Sequence, residues 1–279
     1  MVEVIFSMRL KKFLPKRNPW SHKGQYGSVL IVAGSEKYTG SPIFNGLAAL
    51  RSGSDLATLI GHSRAMEAAT STSPDLITIP LCGELKPSDT KNILSIQKDY
   101  DILIIGGGLA RSKDTYEAIR KLIKGTKLPI VIDAEAIRAV GKSPIDLLKN
   151  KKAILTPHED EFFALTGERV SCHMDTRKKK VKKWAKKLGV TILLKGHIDI
   201  ISDGITVHEN RTGSVYMTKG GFGDILSGIC GSFLATGISP YEAAKAAAYI
   251  CGKAGEEASK RYGPGVLASD AITFIPIAG

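Results

Sequence analysis

Residues 28–60 read SVLIVAGSEKYTGSPIFNGLAALRSGSDLATLI. The run SVLIVA at 28–33 is continuously apolar and has the length of a buried strand. A polar, glycine-containing stretch follows at 34–41, GSEKYTGS. Pro42 suits the first turn of a helix, because its fixed φ is already helical, and Ala48, Ala49 and Leu50 carry that helix onward. A second apolar run occupies 56–60. Strand, loop, helix and strand in that order form the repeating unit of a parallel sheet, since parallel strands need a crossover between them.

The rhythm continues downstream. Residues 101–105 (DILII) end in Gly106-Gly107-Gly108, 115–124 shows helical apolar spacing, and 129–133 (PIVID) ends in a carboxylate. Residues 153–155 run into Thr156-Pro157-His158, and 191–195 (TILLK) ends in Lys195-Gly196. These alternations predict an α/β fold with a mostly parallel central sheet and helices on both faces. Near the end the pattern changes. Residues 199–202, Asp203-Gly204 and 205–209 predict a β-hairpin with a DG turn. Helices over 223–236 and 241–261 follow without a strand between them. No internal repeat or linker interrupts the chain, so a single domain over 1–279 is expected, with 1–22 as a lead-in.

Composition narrows the class. A chain of 279 residues buries a large core without help from disulfides or metals. An apolar content of 43% is too high for a disordered chain. No apolar run approaches the roughly 18 residues of a membrane helix. The apolar N-terminus, residues 1–6, is too short for a secretory core. Cys82, Cys172, Cys230 and Cys251 form no CxxC pair and read as inert thiols of a reducing, cytoplasmic compartment.

The net charge of +12 admits a nucleic-acid partner, an anionic small molecule or a basic surface. Residues 177–187 (RKKKVKKWAKK) hold eight of the basic residues and no acid, leaving +4 on the rest of the chain. Val181, Trp184, Ala185 and Leu188 recur at i, i+3, i+4 and i+7, which predicts an amphipathic helix with a solvated lysine-rich face. No nucleic-acid-binding signature accompanies the charge. Neither a nucleic acid nor a membrane is therefore expected as a partner.

In open parallel sheets, ligands bind beyond the carboxyl ends of the strands. Polar, glycine-rich segments gather at such ends: 34–41, 106–108, 133–135, 156–161 and 195–196. The sharpest segment is NRTGSVYMTKGGFGD, 210–224, where Gly220-Gly221-Phe222-Gly223 precedes a helix and Asp224 falls in its first turn. Small residues let backbone amides converge on an oxyanion, and the helix dipole favours negative charge there. The same dipole is expected to keep Asp224 ionised. A carboxylate beside such a nest can take a hydroxyl proton while the nest holds a transferring phosphoryl group. The plainer reading is a glycine-rich turn with Asp224 as a cap. Neither the Walker A loop nor the GxGxxG fingerprint is present.

GGFGD before a helix resembles the GxGD element of ribokinase-like kinases. The segments KGQYGSVLIVAGSEKYTGSP, DILIIGGGLAR, PIVIDAEAI, ILTPHEDEF, TILLKGHIDIISDG and TGSVYMTKGGFGDILSGI occur in the order seen in ADP/ATP-dependent NAD(P)H-hydrate dehydratases. The resemblance covers about residues 23–260. It implies a ribokinase-like three-layer α/β/α fold and a nicotinamide-nucleotide repair enzyme, a hydro-lyase. Such an enzyme spends ADP or ATP to dehydrate the (6S)-hydrates of NADH and NADPH, NADHX and NADPHX. Phosphorylation of the hydrate hydroxyl would make phosphate the leaving group. The resemblance further implies Mg²⁺ and a homo-oligomer, a tetramer. The epimerase domain often fused to this family is not expected in the 22 residues before Lys23.

Roles carry over by position. Asp224 would be the catalytic base and touch the substrate. Ser41, Pro42, Gly108 and His158 would contact the hydrate. Lys195, Gly196, His197, Ile198 and Asp199 would hold the adenine nucleotide, with Gly221, Phe222 and Gly223 at its phosphates. Glu161 would organise Mg²⁺ through water. Apart from the resemblance, Lys195 reads first as a strand-end surface lysine, and Asp133 with Glu135 as a structural carboxylate pair.

The chain departs from the family pattern in three places. It has Gly106-Gly107-Gly108 for GPG, Phe222 for the threonine of GGTGD, and Glu159-Asp160 where PHxGEF is usual. The last adds negative charge expected to weaken anion binding or recruit a further metal ion. The alternative function is a ribokinase-like kinase that phosphorylates a vitamin-precursor alcohol and stops there. The segments around Tyr38–Pro42 and 156–158 favour the dehydratase.

Overall fold

The computed structural model describes residues 17–141 and 144–278. The apolar N-terminus at 1–6 and most of the lead-in lie outside the described residues. Among the described residues, nine strands form one sheet: β1 (Ser28–Val32), β2 (Leu56–His62), β3 (Ile77–Leu81), β4 (Ile102–Ile105), β5 (Ile130–Ile132), β6 (Ala153–Leu155), β7 (Thr191–Leu194), β8 (Asp199–Ser202) and β9 (Val207–Asn210). Their spatial order is β3-β2-β1-β4-β5-β6-β7-β8-β9. Strands β1 to β7 pair in parallel, and β8 and β9 add antiparallel at one edge.

The pleat sends alternate side chains to opposite faces. Val29, Ile31, Leu59, Ile104, Val131, Ile154 and Leu193 meet one helical layer: α1 (Gly40–Arg51), α2 (Ser63–Thr72), α9 (Phe222–Ala235), α10 (Pro240–Tyr262) and α11 (Ala268–Phe274). Leu30, Val32, Ile60, Leu103, Ile105, Ile132, Leu155 and Ile192 meet the other: α3 (Thr90–Ile96), α4 (Lys113–Gly125), α5 (Ala134–Val140), α6 (Pro144–Leu148), α7 (Glu159–Thr166) and α8 (Met174–Leu188). This is the three-layer arrangement expected of the ribokinase-like fold. Among the described residues, no helix is long and apolar enough to cross a membrane.

Several sequence expectations are corrected. The hairpin exists, but Ser202 pairs with Val207, so the turn is four residues long rather than a two-residue DG turn. Asp203 explains the extra length, because its Oδ1 accepts from the amides of Ile205 and Thr206 and closes an Asx-type turn. All four cysteines are free thiols, Cys230 and Cys251 buried and Cys82 and Cys172 exposed. Arg177 is buried within α8 rather than on its solvated face.

Strand order reverses at β1, which lies between β2 and β4. The loops after β1 and β4 leave the sheet in different directions and open a crevice there. One bond bridges it, as the Gly34 amide donates to the Gly107 carbonyl at 2.9 Å.

Candidate active site

A cleft of about 1520 Å³ opens over the carboxyl ends of β1, β4, β5, β6 and β7. Single small-molecule pockets run to about 1000 Å³, so this one has room for two ligands at once. Its walls come from segments that adjoin strand ends and from 211–224, ahead of and within the first turn of α9.

Asp224 is the focus. It sits in the first turn of α9, and α1 grips it twice: Ser41 Oγ donates to Asp224 Oδ2 at 3.1 Å, and Asn45 Nδ2 donates to the Asp224 carbonyl at 2.7 Å. The start of α9 carries no side-chain cap, so its leading amides are left for a ligand. The N-cap is Gly221 at φ +96, where a Cβ would lie 2.8 Å from the Phe44 ring; a side chain there would be strained and would clash. Gly107 serves a different end. A Cβ at 107 would fall 2.5 Å from Asp224 Oδ1, so the glycine that replaces the usual proline lets the carboxylate rest against the β4 loop.

The electrostatics overturn one expectation. The helix dipole does not leave Asp224 an ordinary carboxylate. Burial, then the negative charge of Asp133, push it up to about 7, against the Ser41 hydroxyl and Lys195, which pull the other way. Burial likewise raises Glu161, with Lys195 opposing. Lys195 would be lowered by burial, but the Asp133 and Glu161 carboxylates outweigh that and hold its ammonium above its usual range. Lys195 Nζ lies 3.0 Å from Asp133 Oδ1 and 3.7 Å from Glu161 Oε2. It is thus no free surface lysine.

The remaining predicted residues divide. Ser41, Gly108, His158, Glu161, Lys195, Gly196, His197, Asp199, Gly221, Phe222, Gly223 and Asp224 all line the cleft. Pro42 and Ile198 do not. Pro42 is buried in α1, its ring under Gly34, and Ile198 packs against the core beneath its loop. Phe222 turns its ring into the core, where only 6% of it is exposed, so its bulk is absorbed away from the cleft. His158 caps α7 through Nδ1 while Glu161 Oε2 accepts from the His158 amide, a reciprocal capping box. Asp199 accepts from the Gly196 amide and from Asn210 Nδ2, which shapes the 195–199 loop.

The extra acids do not act as expected. Glu159 pairs with buried Arg177, and Asp160 lies 3.9 Å from Arg169. Neither acid lines the cleft. Arg177 also donates to the Lys195 carbonyl, which joins the start of α7 to the loop after β7. No sequence pattern marks Asn45 or Arg177, and Asp133 reads in sequence as structural. The only signal for Asp133 is a carboxylate at the end of a strand.

The family model described as NAD(P)H-hydrate dehydratase matches residues 29–277. The chain belongs to the NAD(P)H-hydrate dehydratase family. It is 40% identical over 259 residues to the bifunctional NAD(P)H-hydrate repair enzyme Nnr of Pyrobaculum aerophilum, covering 92% of this chain and 51% of that protein. It therefore spans about half the length of that relative. It is 37% identical over 270 residues to the ADP-dependent (S)-NAD(P)H-hydrate dehydratase of Cenarchaeum symbiosum, covering 96% of this chain and 93% of that one. Among solved structures, the Bacillus subtilis ADP/ATP-dependent NAD(P)H-hydrate dehydratase, co-crystallized with ATP/Mg²⁺, superposes with a TM-score of 0.84 at 27% identity, covering 97% and 95% of the two chains.

Proposed function

We propose that this protein, acting as a single domain, uses ADP or ATP to dehydrate (6S)-NADHX and (6S)-NADPHX to NADH and NADPH. The observation that carries this reading is Asp224: a buried carboxylate that titrates near 7, in the first turn of an uncapped helix, in a cleft with room for two ligands. A general base works best with a pKa near the working pH and contributes about 10²–10⁴-fold.

Hydroxide is a poor leaving group, so the hydroxyl must first be modified. Asp224 takes the hydroxyl proton as the hydrate oxygen bonds to the terminal phosphorus of the nucleotide and the bridging P–O bond breaks. The C–O bond of the phosphorylated hydrate then breaks, the neighbouring ring carbon gives up a proton to water, the C–H electron pair restores the ring double bond, and inorganic phosphate departs, leaving AMP or ADP. The amides of Gly221, Phe222 and Gly223 and the Lys195 ammonium offer donors to the phosphate oxygens. Ser41 orients the base, while Gly108 and His158 border the hydrate side. Residues 195–199 border the adenine nucleotide, with Ile198 and Pro42 supporting from behind the wall.

The donor set fits Mg²⁺. That ion keeps several waters and takes few protein ligands when phosphates are present. Glu161 lines the cleft, and its Oε1, in contact with His158 Nε2, keeps a lone pair for a water. Glu161 would hold the ion through water, and the ion would neutralise phosphate charge. Free thiols agree with a cytoplasmic setting. The family resemblance implies a homotetramer, which light scattering measures; Ile77 and Ile79, exposed on edge strand β3, offer an apolar edge at which copies can pair.

The test is incubation of purified protein with NADHX or NADPHX plus ADP or ATP, following absorbance near 340 nm. Recovery of the reduced nicotinamide band with either nucleotide is expected. No recovery with either, alongside phosphorylation of a thiazole or pyrimidine alcohol, makes the protein a kinase.

A further inference from the structure

We infer that Asp133 is a positioning residue whose charge, fixed in place by Thr156, Lys195 and Ser227, tunes the base Asp224. The inference rests on the reading above in taking Asp224 as the group that accepts the proton.

Asp133 stands at the carboxyl end of β5 and is 3% exposed. Its carboxylate ties three other elements together. Thr156 Oγ1, after β6, donates to Oδ1 at 2.7 Å; Lys195 Nζ, after β7, lies 3.0 Å from the same oxygen; Ser227 Oγ, in α9, donates to Oδ2 at 2.8 Å. Both oxygens are thus engaged within the protein. Asp133 acts through its neighbours instead of through a ligand.

Two of those neighbours bear on Asp224. Ser227 follows it by three residues on α9, so the Asp133–Ser227 bond anchors the turn that carries the base. Lys195 is held between Asp133 and Glu161. The charged groups around Asp224 are therefore the Asp133 and Glu161 carboxylates and the Lys195 ammonium. From α1 come only the Ser41 hydroxyl and the Asn45 carboxamide, and from the β4 loop only glycine. The His158 ring is set against Glu161. Two negative charges and one positive surround Asp224, which favours its neutral form. Burial acts in the same direction, so the two causes must be separated by experiment.

Asp133→Asn separates them. Ser227 Oγ also lies 2.9 Å from the Gly223 carbonyl, and one hydroxyl has only one proton to give. An asparagine amide at 133 can donate to Ser227, which then donates to Gly223. The substitution thus keeps the shape and the hydrogen bonds and removes the charge. Ser227→Ala is the complement, since it removes the anchor and keeps the charge. Asp224 is followed directly by carbon-13 carboxyl NMR in the nucleotide-free protein, with Asp224→Asn to assign its signal and thermal melts to verify folding.

The Asp224 midpoint should fall by about one pH unit or more in Asp133→Asn and stay in place in Ser227→Ala. The acid limb of kcat/KM for NADHX recovery should move with it. A midpoint that remains near 7 in Asp133→Asn assigns the shift to burial alone and overturns the inference. So does an equal shift in Ser227→Ala, which would assign it to helix placement. If wild type recovers no NADH, the functional reading fails, while the NMR titration still decides the role of Asp133.

Discussion

Two cation-bearing regions of this molecule, the cleft and α8, behave in opposite ways. At the strand ends under the cleft, Lys195 stands among Asp133, Glu161 and Asp224, with its side chain 21% exposed. On α8, Lys179, Lys182, Lys183, Lys186 and Lys187 reach into solvent. The helix dominates the net charge; Lys195 dominates the electrostatics of the site. An exposed charge is solvated and screened, whereas a buried one acts through a low dielectric at short range. Counting charges locates the first region, and only burial and distance locate the second.

The largest expected effect is at the site. Asp224→Asn should lower turnover of NADHX by about 10³-fold, while calorimetric binding of ADP changes little. It should also stabilise the fold. The unfolded aspartate loses its proton near 3.8 and the folded one near 7, so the folded state holds the extra proton between them. Wild-type stability therefore falls as pH rises from about 4 to about 7. The variant should lack that slope and, at pH 8, be more stable by on the order of a few kcal/mol. A variant less stable than wild type at pH 8 would show that the carboxylate supports the fold.

Lys195→Met comes next. Removing one partner of a buried ionic group costs about 3 kcal/mol. The cost should depend on pH in a definite direction. Glu161 loses the cation that opposes its upward shift, so its folded pKa rises further. The added penalty then grows as pH rises above the unfolded carboxylate value and fades in acid. Melts should show a larger deficit at pH 8 than at pH 5. An equal deficit at both would indicate lost packing of the lysine stem.

The same contrast explains what the sequence disclosed. The buried strands of the parallel sheet were legible because they are short apolar runs that end in glycine or a polar residue. Strand β3, ITIPL, was not, since it lies at an edge with most of its residues outside the core, and Pro80 weakens it as a strand signal. Asp224 was legible because its glycines, helix and charge are contiguous. Asp133 was not: its partners Thr156, Lys195 and Ser227 lie 23, 62 and 94 residues away, and no local pattern announces them. Arg177 was hidden for the opposite reason. It belongs to a basic run whose other members face outward, and only its position one helical turn before Val181 places it inward.

Arg177 sharpens the comparison, because it belongs to the basic run by sequence and to the cleft by contact. Arg177→Met should destabilise the fold by about 2 kcal/mol, by stranding the Lys195 carbonyl and freeing Glu159. KM for the nucleotide should rise, with kcat altered less, because the loop at 195–199 loses its brace. Loss of stability without any change in KM would confine Arg177 to a structural role.

The smallest effect should come from the largest change in charge. Lys179→Gln, Lys182→Gln and Lys186→Gln together remove three of the exposed cations of α8 while leaving Val181, Trp184, Ala185 and Leu188 to hold the helix down. Substitutions of this kind usually stay within about 0.5 kcal/mol each, so melts should move little. What remains is steering. The hydrates and nucleotides are anionic, and a basic surface raises their encounter rate only while salt does not screen it. The triple variant should therefore lower kcat/KM modestly at low ionic strength, leave kcat alone, and match wild type at about 0.15 M salt, where the Debye length is about 8 Å. If kcat/KM falls by the same factor at every salt concentration, the α8 lysines contact a ligand, and the division between a solvated helix and a buried site fails at that point.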